Sequence, residues 1–399
     1  MAISDVINLT AVERDPTFAE RLAPMSRLIK RCIQCGTCSA SCPTAFAMDY
    51  TPRQVWRLVQ LGFVEEVLTS QTFWLCTVCK SCQVRCPRGI DIMDAMVALK
   101  EWATRESIQV PERLETLGDT VTERYNISGD DNAARLIWSE NLPEPPLGVD
   151  PLRETAEVVY FVGCVGSFYP RTYSIPQALV QVMDLSGVEF TTLGGEEWCC
   201  GYPLYVAGMR DRMVELARHN VEQVRAVGAE RVVSTCPSCY YAWSHLYPEM
   251  TETTGLEFLH ATELLAELLE ANRLALGAVE EVVTYHDPCD LGRKSGVYDA
   301  PREVLGAIPR LELREMSMNR EAALCCGGGG DVETANPDIP VEVATKRIAQ
   351  VQATGAKYVA SACQQCKRTL QEGARKNRIR VRAVDVVELV WRSVQAADE

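Results

Sequence analysis

The sequence lacks any run of about 18 consecutive apolar residues, the length that carries a helix across a bilayer. Its most apolar stretch, Val158 to Tyr169, is short and broken by glycines, so a membrane-spanning chain is not expected. A basic-plus-apolar leader is missing too, since Met1 to Asp15 is polar and mixed in charge; the expected location is a reducing cytoplasm, peripheral to a membrane only through a partner. Basic residues are outnumbered, 40 against 54 acids, for a net charge of −14. That argues against nucleic acid, whose binding needs Lys and Arg to neutralise phosphates. No dinucleotide fingerprint of the Gly-x-Gly-x-x-Gly type occurs, and Gly327-Gly328-Gly329-Gly330-Asp331 lacks the Gly-Lys-Ser/Thr ending of a phosphate loop. Any flavin or nicotinamide is therefore expected on a partner.

Cysteine is what the chain has in excess, 18 residues. Without a secretory leader these read as thiolate ligands rather than disulfides. The remaining composition, 47% hydrophobic and 24% charged, is that of a soluble globular protein. At 399 residues it predicts two or three domains.

Apolar residues at three- and four-residue spacing predict helices over Phe18 to Arg31, Pro52 to Thr69 and Asp91 to Arg105, so residues 1–107 read as a small all-helical unit with cysteines in its loops. Residues 108–157 carry 4 basic against 11 acidic residues and include a Pro-rich stretch, 141–148. They read as a solvated acidic linker. From residue 158 short β-branched runs (Val158 to Val162, Arg231 to Thr235, Val282 to Tyr285, Lys357 to Ser361) alternate with helical stretches such as Met209 to Val227 and Val341 to Thr354. That is an α/β pattern, and it repeats. Cys164, Cys199-Cys200-Gly201 and Cys236-x-x-Cys239 return about 125 residues later as Cys289, Cys325-Cys326-Gly327 and Cys363-x-x-Cys366. The predicted fold class is therefore α + α/β, with a helical N-terminal domain followed by half-domains at 158–277 and 278–399.

Two metal chemistries follow from the cysteine spacing. Cys32-x-x-Cys35-x-x-Cys38-x-x-x-Cys42-Pro43 recurs as Cys76-x-x-Cys79-x-x-Cys82-x-x-x-Cys86-Pro87, the spacing of two-cluster bacterial ferredoxins, in which the fourth cysteine serves the other cluster. This assigns Cys32, Cys35, Cys38 and Cys86 to one [4Fe-4S] cubane, and Cys76, Cys79, Cys82 and Cys42 to the other. Zinc sites share the two-residue gap, but rarely need three cysteines in one tight run plus a Cys-Pro. Trp56 and Trp74 lie near these runs and are expected mainly to pack the core. In the C-terminal half each set offers five sulfurs, one more than a cubane has irons. Adjacent cysteines strain an ordinary cubane's corners, so Cys199-Cys200 and Cys325-Cys326 suggest an unusual cluster in which a sulfur bridges two irons.

The N-terminal unit, through Pro52-Arg53-x-x-Trp56, Leu61-Gly62 and Trp74-x-Cys76 to Cys86-Pro87-Arg88-Gly89, resembles the ferredoxin-like C subunit of heterodisulfide reductase. The pattern Cys, Cys-Cys-Gly, Cys-x-x-Cys resembles the cysteine-rich CCG domain of the B subunit, and the fusion of the two resembles the D subunit. Iron–sulfur subunits of anaerobic glycerol-3-phosphate dehydrogenase and glycolate oxidase share this architecture. The resemblance implies a noncubane [4Fe-4S] cluster on each five-cysteine set, with a disulfide held between them. The catalytic candidates are then Cys164, Cys199, Cys200, Cys236, Cys239, Cys289, Cys325, Cys326, Cys363 and Cys366. In His286-Asp287-Pro288-Cys289-Asp290, His286 or Asp290 is a candidate proton donor to a departing thiolate, or a local hydrogen-bonding residue of the loop; the first half has no matching histidine. His219, His245 and His260 fall in helical stretches and read as structural. Three functions remain open: an oxidoreductase component that cleaves a disulfide, a relay between a flavoprotein dehydrogenase and a quinone or membrane cytochrome, or a zinc-stabilised binding protein.

Overall fold

The computed structural model describes residues 13–22 and 26–397. The opening stretch to residue 12, and residues 23–25 of the first predicted helix, lie outside them. Architecture is mixed: a helical N-terminal part precedes two four-stranded parallel sheets.

Local chemistry sets the N-terminal helices. Thr51 and Gln54 form a reciprocal capping box before Pro52, and helix Pro52–Leu61 ends at Gly62, whose φ of +83° the left-handed C-cap requires. The long predicted helix is thereby split, resuming as Val64–Leu68. Helix Ile92–Arg105 buries Ile92, Met96, Leu99 and Ala103 on one face. Trp56 and Trp74 are fully buried in the core these helices share. Residues 108–157, read from sequence as a linker, contain helix Glu112–Arg124 and a 3-10 helix, Asn132–Ser139, capped by Asp131. Charge density hid them, because only Leu114, Gly118 and Val121 of the first helix are buried. The Pro-rich stretch forms no regular element.

The first sheet contains β1 (Val158–Tyr160), β2 (Phe190–Thr191), β3 (Arg231–Ser234) and β4 (Glu257–His260). The second contains β5 (Val282–His286), β6 (Glu312–Leu313), β7 (Tyr358–Ser361) and β8 (Arg382–Asp385). Their orders, β2-β1-β3-β4 and β6-β5-β7-β8, are the same. Even the last cap repeats: His260 with Glu263, and Asp385 with Glu388, each close a capping box on the following helix.

The halves pack reciprocally. Helix Ser174–Leu185 of the first lies on Val386–Gln395 of the second, and Ala261–Glu270 lies on Ala300–Ala307. One apolar core runs from Val158 through Tyr285 to Val394, spanning both sheets. Parallel strands buried on both faces gather ligands outside their carboxyl ends, where strand order switches. Cys164 and Cys236 follow β1 and β3, and Cys289 and Cys363 follow β5 and β7. The topology thus delivers these C-terminal cysteines to the same end of their sheets.

Candidate functional site

In the N-terminal part, the chain alternates into left-handed backbone around the middle cysteine of each run. Gln34 and Gly36 flank Cys35 at φ +59° and +83°, and Val78 and Lys80 flank Cys79 at +46° and +64°. For β-branched Val78 this conformation is strained, and such strain concentrates at functional loops. Cys32, Cys35, Cys38 and Cys86 line one small cavity with Trp56 and Ile92. Cys42 lies elsewhere, its thiol pushed up to about 12 by burial and then by the neighbouring Cys76 and Cys79. Burial, Cys76 and Cys79 likewise raise Cys82. Each run's fourth cysteine therefore sits with the other run.

At the first C-terminal site, Gly163 begins the helix carrying Cys164 at φ +77°, and a Cβ there would lie 2.9 Å from the Cys239 sulfur. Cys200 is pulled down to about 6 by hydrogen bonds from Cys199 and Cys239, while Cys164 is pushed well up by its hydrogen bond to Cys199 and by burial. The second site repeats the polarity. Cys326, 3.2 Å from the Cys366 sulfur, is held well below its usual range by Cys325, Cys366 and His286, against burial; Cys325 is raised by its hydrogen bonds to Cys289 and Cys326. Backbone donates to sulfur as well, from Gly327 N–H to Cys325 (3.3 Å) and Gly328 N–H to Cys326 (3.5 Å). No disulfide joins any of the 18 cysteines.

Nine of the ten C-terminal candidates, all but Cys325, line a single cavity of about 340 Å³ between the halves. Tyr169, Tyr202, Gln365 and Arg368 share its wall. His286 lies beside the second site, fully buried; its Nδ1 accepts from Arg347 Nε at 3.0 Å, which leaves the proton on Nε2. Its ligand atom lies within 4.8 Å of those of Cys326 and Cys366. Burial lowers its pKa, against the hydrogen bond to Cys326. Asp290 lines the same cavity: its carboxylate accepts from the Cys289 thiol (3.7 Å) and from Tyr202 (3.1 Å) and Ser238 (2.6 Å) of the first half, and pairs with buried Lys294 at 2.8 Å. His219 stacks on Trp198, and His245 on Tyr241.

Sequence reasoning missed the cations of the site. Arg135, from the supposed linker, donates to the Cys164 sulfur at 3.3 Å and pairs with buried Glu197 at 2.7 Å. Glu197 in turn accepts from the Val162 and Gly163 N–H groups ahead of Cys164. A lone Arg in an acidic stretch carries no recognisable signal. Arg293 and Lys294 sit in the segment after Cys289, where their burial is invisible to spacing.

Two domain families match this chain: a 4Fe-4S dicluster domain over residues 28–90, and the cysteine-rich domain CCG over 158–243 and 283–371. The D subunit of the dihydromethanophenazine:CoB–CoM heterodisulfide reductase of Methanosarcina mazei is 32% identical over 90% of this chain and 92% of its own length. The chain belongs to the family of heterodisulfide reductase D subunits. Other members of this wider group are longer. The probable iron–sulfur-binding oxidoreductase FadF of Bacillus subtilis is 29% identical over 90% of this chain and 50% of its own, and the EtfAB:quinone oxidoreductase of Syntrophomonas wolfei is 28% identical over 84% and 48%. This member of the D-subunit family is thus an iron–sulfur oxidoreductase component for electron transfer, and its relatives work in multi-protein complexes. Among the described residues no helix is long and apolar enough to cross a membrane.

The residues fit iron–sulfur clusters. The donor sets are all-thiol, backbone N–H groups are aimed at sulfur, and the buried Arg293 Nη2 has no partner beside Cys79, Cys289 and Cys325.

Proposed function

We propose that this chain is the catalytic iron–sulfur component of a disulfide-reducing complex. Cys32, Cys35, Cys38 and Cys86 hold one cubane, and Cys42, Cys76, Cys79 and Cys82 the other. The two five-cysteine sets hold noncubane clusters. When bound, the clusters supply one-electron storage and iron that takes a thiolate sulfur. The observation that carries the reading is the shared cavity: both cysteine sets open onto one space of about 340 Å³, so a ligand with two sulfurs reaches both.

The chain's own residues do the rest. Arg135, Gly327 N–H and Gly328 N–H donate to ligand sulfurs and offset their negative charge. Tyr169 and Tyr202 narrow the cavity. His286 Nε2 holds a proton beside Cys326, where it serves as a donor to a departing thiolate or as a fixed hydrogen bond to Cys326. Cleavage of one disulfide consumes two electrons and two protons and releases two thiols. The electrons come from a flavoprotein or a membrane cytochrome in the assembled complex, with the chain in the cytoplasm and against the membrane only through that partner.

A second reading, relay to quinone without chemistry in this chain, is favoured by the likeness to the EtfAB:quinone oxidoreductase. The experiment that separates them is reoxidation of dithionite-reduced protein, in its reconstituted complex, by a panel of disulfides and by a quinone analogue. The expected result is loss of cluster reduction with two thiols formed per two electrons. Thiol-free reoxidation by the quinone analogue, with no reaction across the panel, overturns the reductase in favour of the relay.

A further inference from the structure

The ferredoxin-like part touches the two halves unequally. Cys79 lies within hydrogen-bond reach of Cys325, which is the first cause of its lowered pKa. Thr77 Oγ1 is 3.9 Å from the Cys325 sulfur. Behind Cys325-Cys326, Gly330 at φ +66° lies against the Cys76 carbonyl, where a Cβ would come within 2.3 Å. Lys100 Nζ, fully buried, closes the seam on the Gly330 carbonyl at 3.3 Å. The first set is met by apolar packing, with Val78, Met93 and Val97 in its core and Cys76 against it; among the described residues the hydrogen bonds of residues 76–82 into the C-terminal half go to Arg293 and Cys325 and none to a first-set cysteine. The first set also faces the second, through Cys236, whose charge adds to burial in raising Cys363.

One cation sits at the seam. Arg293, 7% exposed, donates Nε to the Cys79 carbonyl at 2.7 Å and Nη1 to the Ala323 carbonyl at 2.7 Å. Its Nη2 is buried without a partner. A buried, unspent N–H group costs free energy unless something accepts from it, and the neighbouring charges are those of Cys79, Cys289 and Cys325. We infer that Arg293 is a positioning residue that bridges the Cys76–Cys82 cubane to the second half-domain, making the Cys289–Cys366 site the inlet for electrons and the first half-domain the site filled after it. A fixed positive charge favours the reduced, more negative state of both centres it faces. The inference rests on the ligand assignment proposed above but not on disulfide cleavage, so it stands under either the reductase or the relay.

Two measurements on the full chain test it. In wild-type protein mixed with dithionite and frozen at intervals, paramagnetic spectra are expected to show the second site reduced before the first. In Arg293→Gln, potentiometric titration followed by the same spectra is expected to shift the Cys76–Cys82 cubane and the second site to lower potential. The Cys32–Cys38 cubane and the first site stay in place, and Arg293→Lys, which keeps the charge, restores most of the shift. A merely structural arginine would not move two named potentials and spare two others. Reduction of the first site before or together with the second, or an unshifted pair in Arg293→Gln, overturns the bridge. A protein that carries no signal from the second site overturns the ligand assignment instead, and the bridge with it.

Discussion

Cys200→Ala and Cys326→Ala are each expected to abolish thiol release while leaving the N-terminal cubanes reducible. Both residues are the second member of a Cys-Cys pair, and both are the member whose pKa hydrogen bonding lowers, Cys200 to about 6 and Cys326 well below its usual range. A metal must displace the proton from any thiol ligand, so these two sulfurs are the ready anchors of their sites. Loss of an outer-shell partner costs roughly 10–100-fold; removal of a direct ligand at an all-thiol site is expected to exceed that, lowering bound iron by about four atoms per chain. Because the two sets face one cavity, either loss leaves one sulfur of a bound disulfide without its iron. The check is thiol counting beside cubane reduction, followed spectroscopically in each variant. Full thiol release by either variant would show that one site suffices.

Arg135→Ala is expected to be strongly destabilising. Arg135 and Glu197 are both 2% exposed in their side chains and 2.7 Å apart, and removing one partner of such a pair costs about 3–5 kcal/mol, because the other charge stays buried alone. Here the stranded group is Glu197, which also orders the Val162 and Gly163 N–H groups in front of Cys164. Adding Glu197→Gln should recover part of the loss, since it removes the stranded charge while its single amide oxygen still accepts from one of those two N–H groups. Denaturant midpoints of the single and double variants, compared anaerobically, give the answer; equal midpoints for wild type and Arg135→Ala would remove the pair from the account.

What the sequence made legible was whatever is written in local spacing. Cysteine gaps marked the four candidate sites, and the repeat at about 125 residues corresponds to two sheets of identical order. The strands that alternate with long helices, β1, β3, β5 and β7, lie close to their predicted places. Edge strands β2 and β6, two residues each, are too short to leave a pattern. Long-range partners were not legible. Arg135 reaches Cys164 from 29 residues away, and Arg293 reaches Cys79 from 214; neither residue type signals a thiol site by itself. His286 stood out by its place beside Cys289, but only the fold supplies Arg347, which fixes its tautomer. The acidic segment 108–157 misled for a plain reason: a helix that buries three residues reads as solvated, although its neighbour carries the arginine of the first site.

The most direct measurement of the central claim is the metal and acid-labile sulfide content of anaerobically purified protein. Four [4Fe-4S] clusters predict about 16 irons and as many sulfides per chain, with brown colour and no stoichiometric zinc. Stoichiometric zinc with little iron would contradict the account, because the same thiols would then be binding a metal that carries no electrons.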